Sequence, residues 1–182
     1  MTSVKTTQNS LLLNNLMEFY NQDNNLDSML SIINGISPIS LRIVDWFATN
    51  YSKQYYVTYE TKQDKRFKVY NDYKLKLRAY SKKRFDPFCR WERISIPYKN
   101  NQYIQTTIGQ LNFFKWALEN NVIEYIKEHY SDIEADMNNR NSTSKRKKSI
   151  TSNKTRKKRE ELSISASKTV HREEVQIVVK FD

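Results

Sequence analysis

From residue 138 to residue 169 the chain is written almost entirely in Asn, Ser, Thr, Lys and Arg, with scarcely an apolar side chain. No other feature limits the fold as strongly. A segment of this composition buries too little apolar surface to offset its ordering entropy, so any core must lie before it. The expected organisation is a flexible N-terminus over 1–9, one domain over 10–137, a disordered basic linker over 138–169 and a strand-like C-terminal segment over 170–182. Within the last, 173–181 (EEVQIVVKF) suits an edge strand or a strand added to a partner's sheet. With 182 residues in all, a domain of this length can bury a real core.

Charge divides the chain in the same way. The net charge is +11, yet residues 1–61 carry three Lys/Arg against five acids, and residues 94–137 carry three against six. The excess comes from two places. Residues 62–93 hold twelve cations and four acids, and residues 138–159 hold ten cations and no acid. Such asymmetry points to an anionic partner and informs on binding rather than fold.

The pattern before residue 138 predicts an α+β domain: N-terminal helices, two β-hairpins around a short basic helix, and a C-terminal helical pair. A first helix starts near Ser10. A second carries Leu26, Met29, Leu30 and Ile33 at helical spacing and ends at Asn34-Gly35; a third starts at Ser40, a natural N-cap. The alternating runs 55–60 (YYVTYE) and 66–70 (RFKVY) read as a hairpin around a polar loop. Tyr73, Leu77 and Tyr80 then set a short amphipathic helix with Lys74, Arg78 and Lys82 beside them, and 85–88 (FDPF) turns the chain because Pro87 disfavours helix at Asp86. A second hairpin joins 92–98 and 102–106 around Lys99-Asn100-Asn101. Thr106 or Thr107 caps the helix bearing Leu111, Phe114, Ala117 and Leu118, and 122–133 continues as a second helical piece.

The basic helix and its turn form the candidate site. Lys74, Arg78, Lys82, Lys83, Arg84, Arg90 and Arg93 are placed to neutralise phosphates, and Tyr80, Phe88 and Trp91 to stack on unpaired bases. The opposing reading turns these aromatics into the core and leaves the Lys stems on the surface. Two tail clusters, Lys145, Arg146, Lys147 and Lys148, then Arg156, Lys157, Lys158 and Arg159, add nonspecific affinity or a nuclear-import signal. The short helices flanking Gly35 have helix-turn-helix order, but the second offers only Arg42 and, nearby, Lys53, too few cations for a recognition helix.

Several chemistries are disfavoured by count. Two glycines, Gly35 and Gly109, exclude a P-loop and a dinucleotide fingerprint. Cys89, His129 and His171 are too few for a zinc finger, and a single cysteine allows no intrachain disulfide. No cofactor, metal site, catalytic residue or membrane span is expected. The one enzymatic pattern is Asp45 followed by Glu60-Thr61-Lys62, the Asp…Glu-x-Lys order of Mg²⁺-dependent nucleases, a short motif with Asp45 on a helix instead of a strand.

Three blocks, 40–51 (SLRIVDWFATNY), 79–90 (AYSKKRFDPFCR) and 109–117 (GQLNFFKWA), resemble a group of small proteins of nucleocytoplasmic large DNA viruses without assigned biochemistry. The resemblance spans about 11–137 and leaves the tail outside. It implies a viral setting, in the host cytoplasm at the virus factory, in the nucleus or in the virion, and carries over no functional residues. The expectation is a non-enzymatic viral protein that binds DNA or RNA mainly through phosphates. The alternative is a virion structural or adaptor protein that meets an acidic protein partner; the Mg²⁺-dependent nuclease is the remote one. Oligomeric state is not legible in the chain.

Overall fold

The computed structural model describes residues 8–89, 92–150 and 172–174. Its fold is mixed helix and sheet, as the patterning predicts. Two helices open it, α1 (Gln8–Tyr20) and α2 (Asn25–Ile33). Gly35, at φ 73°, makes the turn that follows. The Ser40 hydroxyl then accepts from the Ile43 amide and starts α3 (Leu41–Trp46).

The third helix does not simply run on. It widens into a π-helical turn over Phe47–Tyr51 before a last short α-helical piece, α4 (Ser52–Gln54). Two hydroxyls stand at this widening: Thr49 Oγ1 donates to the Asp45 carbonyl at 2.7 Å and Ser52 Oγ to the Ala48 carbonyl at 3.0 Å. Hydroxyl groups bonding back to the preceding turn loosen a helix there. The helix closes with Tyr56 in the left-handed region at φ 49° while the Val57 amide reaches back to the Ser52 carbonyl. Glycine is the usual residue at such a closing position.

The first hairpin is smaller than its alternation suggests. Strands β1 (Thr58–Tyr59) and β2 (Phe67–Lys68) pair over two residues each. The basic helix α5 (Val69–Tyr80) takes up the rest, starting four residues before Tyr73 because Val69 and Tyr73 bury the same helical row. Ser81, at φ 66°, ends it, and α6 (Lys82–Phe85) follows. The break falls at Ser81 as well as at Pro87. The predicted turn then forms: the Phe88 amide donates to Asp86 Oδ1 and the Cys89 amide to the Asp86 carbonyl.

Strands β3 (Arg93–Tyr98) and β4 (Gln102–Thr107) make the second hairpin, antiparallel with Ile96 opposite Ile104. Its loop places Asn100 and Asn101 in the left-handed region, which Asn tolerates better than most residues. Asp27 fastens this loop to α2, accepting from Lys99 Nζ at 2.6 Å and from the Tyr98 hydroxyl at 3.0 Å. A short β5 (Arg172–Glu174) pairs antiparallel with the other side of β4, so part of the strand-like C-terminal segment returns to the sheet; 175–182 lie outside the described residues. Pro97 lies on β3, an edge strand, where a missing amide donor costs least.

Thr107 caps α7 (Ile108–Glu119), which is the axis of the core. Leu111, Phe113, Phe114 and Ala117 are fully buried, and α1, α2, β4, α6 and α8 (Val122–Glu128) pack around the helix. Trp116 is also buried, its indole N–H satisfied by Asp72 on α5 at 2.7 Å, and the Tyr20 hydroxyl donates to the Leu111 carbonyl at 2.6 Å. The helical piece expected over 122–133 is broken at His129. The last helix, α9, runs Tyr130–Ile150. Residues 138–150, placed by composition in the disordered linker, therefore continue a helix begun by Ile133 and Met137 against the core. Residues 151–171 lie outside the described residues. No described helix is long and apolar enough to cross a membrane.

Candidate nucleic-acid interface

Helix α5 divides its residues sharply. Val69 and Tyr73 are buried, and Leu77 and Tyr80 pack partly against the core. The opposite side exposes Asn71, Lys74, Leu75 and Arg78, positions three and four apart that share one face. Lys68, also exposed, immediately precedes the helix. At 1.5 Å per residue this stripe of cations runs roughly 15 Å from Lys68 to Arg78. Beyond Ser81, Lys82 and Lys83 are exposed too, and Lys82 Nζ lies 3.7 Å from Asp86.

Two aromatic members of the predicted site, Tyr80 and Phe88, face the core beside Phe85. Phe85 is buried, stacked by Tyr80 with ring centroids 6.0 Å apart and planes 11° apart. Tyr80 and Phe88 are half-buried against the core. Arg84 is half-buried as well, and its carbonyl accepts from Asn112 Nδ2 at 2.8 Å. Arg93 is exposed at the start of β3. Arg90, Trp91 and the cluster Arg156, Lys157, Lys158 and Arg159 lie outside the described residues, while Lys145, Arg146, Lys147 and Lys148 fall on the described backbone of α9.

Against the start of α5 lies a cavity of about 810 Å³ that sequence reading missed. The π-helical turn and α4 supply Asn50, Lys53 and Gln54, the residues closing that helix supply Tyr56, the first hairpin supplies Lys68, and α5 supplies Tyr70 and Asn71. Arg140, from α9, completes the wall. Lys53 Nζ stands 5.6 Å from the Tyr70 ring centre. Arg140 is fixed by two neighbours: its Nε donates to Asp136 Oδ1 at 3.1 Å and its guanidinium lies 5.6 Å from the Trp46 ring. Asp136 also accepts from Trp46 Nε1 at 2.8 Å and from the Tyr55 hydroxyl at 3.3 Å. Trp46 is thus a structural residue. No pattern in the sequence ties residues 50–71 to Arg140, which composition places in the disordered linker.

Asp45 stands on α3, half-buried, and Glu60 is exposed after β1. Removal from water, with the Asp86 carboxylate adding to it and Lys82 opposing, pushes the Asp45 carboxyl up to about 7. A magnesium ligand has to be ionised, and this environment works against that. Among the described residues no three His, Cys, Asp or Glu side chains gather as a metal site.

The three blocks that carry the viral resemblance meet in space. Gly109 of α7 lies against the Asp86 and Lys83 carbonyls, Asn112 holds the Arg84 carbonyl, and Asp45 of α3 feels Asp86. No solved structure matches the chain. An uncharacterized protein, L507, of Acanthamoeba polyphaga mimivirus is 45% identical over 129 residues, 66% of this chain and 50% of the relative. The chain thus spans about half that relative's length. A family of unknown function (DUF7197) matches residues 2–180, so the likeness takes in the tail and does not stop near residue 137. With this match over nearly its whole length, the chain belongs to the DUF7197 family, an uncharacterised family with a member in a nucleocytoplasmic large DNA virus.

Proposed function

We propose that this protein is a non-enzymatic nucleic-acid-binding protein of the infected cell that holds DNA or RNA chiefly by its phosphates. The exposed cationic stripe of α5, Lys68, Lys74 and Arg78, is the observation that carries this reading. Lys82, Lys83, Arg93 and the basic clusters of α9 and the tail extend it. Phosphate contact needs exposed cations in a row more than it needs exposed rings. Tyr80 and Phe88, half-buried, serve this reading as supports of the stripe, and stacking on bases is the lesser part of it. The protein then acts where viral nucleic acid is found, at the cytoplasmic factory, in the nucleus or in the virion.

The test is anisotropy of labelled single- and double-stranded oligonucleotides with the full chain across a salt series. Lys74→Glu with Arg78→Glu is expected to weaken binding at least tenfold and to lower the salt slope by about two, one for each phosphate no longer neutralised. Unchanged affinity and slope in that variant, with its fold intact by circular dichroism, would sink the reading.

One observation favours a second reading. Leu75, 62% exposed, sits between Lys74 and Arg78. An acidic protein segment with an apolar anchor fits such a strip, as in a virion adaptor. Leu75→Asp then abolishes capture of the partner while leaving oligonucleotide salt dependence nearly intact.

A further inference from the structure

The cavity beside the start of α5 has a chemistry of its own. Three cations, Lys53, Lys68 and Arg140, stand in its wall, and among the described residues no Asp or Glu does. Arg140 is not a loose surface arginine. Asp136 and Trp46 set its position from behind, and the Asp136 bond engages Nε, so the two terminal nitrogens are outside that bond. Asn50, Gln54 and Asn71 add neutral donors and acceptors. A volume of about 810 Å³ lies within the ordinary range for a small-molecule site of roughly 300–1,000 Å³.

Tyr56 supplies the second argument. It is 87% exposed, and its backbone lies in the left-handed region. Burial does not explain an aromatic there, and local preference favours Gly at such a helix end. Strained, exposed residues at the rim of a cavity point to a ligand. The neighbouring π-helical turn, which brings Asn50 to the cavity just ahead of Ser52, Lys53 and Gln54 from α4, is a feature often found at functional sites.

We propose that this cavity binds a nucleoside phosphate, its phosphate taken by Lys53, Lys68 and Arg140 and its base by the ring of Tyr56. Two sources share this chemistry, a free mononucleotide and the phosphorylated end of a strand lying along α5. The site stands without the nucleic-acid reading, although Lys68 belongs to both.

Titration calorimetry of the full chain with AMP, adenosine and inorganic phosphate tests it. AMP is expected to bind at least tenfold more tightly than either fragment. Lys53→Ala with Arg140→Gln weakens AMP at least tenfold, and Lys74→Glu with Arg78→Glu leaves AMP affinity unchanged. Tyr56→Gly provides the folding control, because it frees a strained backbone: affinity falls while the melting temperature holds or rises. A 5′-phosphorylated oligonucleotide that binds tenfold better than its hydroxyl-ended form, by anisotropy, assigns the site to strand ends; equal binding of the two, with AMP bound, assigns it to free nucleotide. The proposal is overturned if AMP binds no better than adenosine and the two oligonucleotides bind alike, or if the Lys53/Arg140 variant binds AMP as the wild type does. Loss of oligonucleotide binding in the α5 variant with AMP binding intact separates the two readings, as does AMP binding by a chain that ignores oligonucleotides.

Discussion

Asp45 is the clearest case of one side chain set against its surroundings. Its carboxyl, ordinarily near 3.8, is pushed up to about 7 by loss of water and by Asp86, with Lys82 pulling the other way. The folded chain therefore holds more protons at this site than the unfolded chain between about pH 4 and pH 7. Stability contributed here is greatest below that window and falls as pH rises through it. Asp45→Asn keeps the shape of the neutral acid and removes the titration. Solvent reaches the half-buried group, so the gain at pH 8 is about 1–2 kcal/mol, less than the shift alone implies. Chemical denaturation of both forms at pH 5 and pH 8 checks this: the variant should gain more relative to wild type at pH 8 than at pH 5. An equal difference at both values contradicts it.

Elements are held together by approaches that leave no room for a side chain. A Cβ at Gly109 would lie 2.7 Å from the Asp86 carbonyl oxygen and 3.3 Å from that of Lys83. Helix α6 can rest on α7 only because residue 109 is Gly. Gly109→Ala adds helix propensity of about 1 kcal/mol, yet the clash is with backbone and typically costs about 1–3 kcal/mol. A lower melting temperature, by several degrees, is expected, together with altered hydrogen exchange over 82–89; a higher one contradicts the close approach. This packing was not legible beforehand, because Gly109 and Asp86 are brought together only by the fold. What was legible is local: the caps Ser40 and Thr107, the Asn-rich hairpin loop and the Pro87 turn each satisfy a few neighbouring residues. Tyr59 and Phe67 alternate like strand residues, yet β1 and β2 stop after two pairs because Val69 and Tyr73 bury a helical row. The cavity was hidden for two reasons. Its wall joins residues 50–71 to Arg140, and its rim holds Tyr56 and a π-helical turn that defy local preference.

Across the whole molecule, acid and base are sorted by position. Residues 94–137, net −3 from three cations and six acids, form much of the packed centre, while the cations collect over 62–93 and from residue 138 on. Helix α9 bridges the two regimes: Ile133 and Met137 are buried, Arg140 reaches the cavity, and the Lys145–Lys148 cluster follows on the same helix. The composition boundary at 137 thus does not mark the end of the helix, which runs on to Ile150. A truncation that respects the structure is therefore placed after residue 150, leaving α9 whole and removing Lys154 and the Arg156–Arg159 cluster. If phosphate binding is shared between the folded face and the tail, the truncated chain still binds oligonucleotides. Its salt slope is then shallower by up to about eight, one unit for each of the eight Lys/Arg of residues 151–182 that neutralises a phosphate. The truncation also removes β5 and opens the edge of β4, so its melting temperature is measured beside it to tell weaker phosphate binding from a damaged fold. A folded chain of 150 residues that no longer binds at any salt concentration places the affinity in the tail, and the stripe on α5 then faces an acidic protein partner instead.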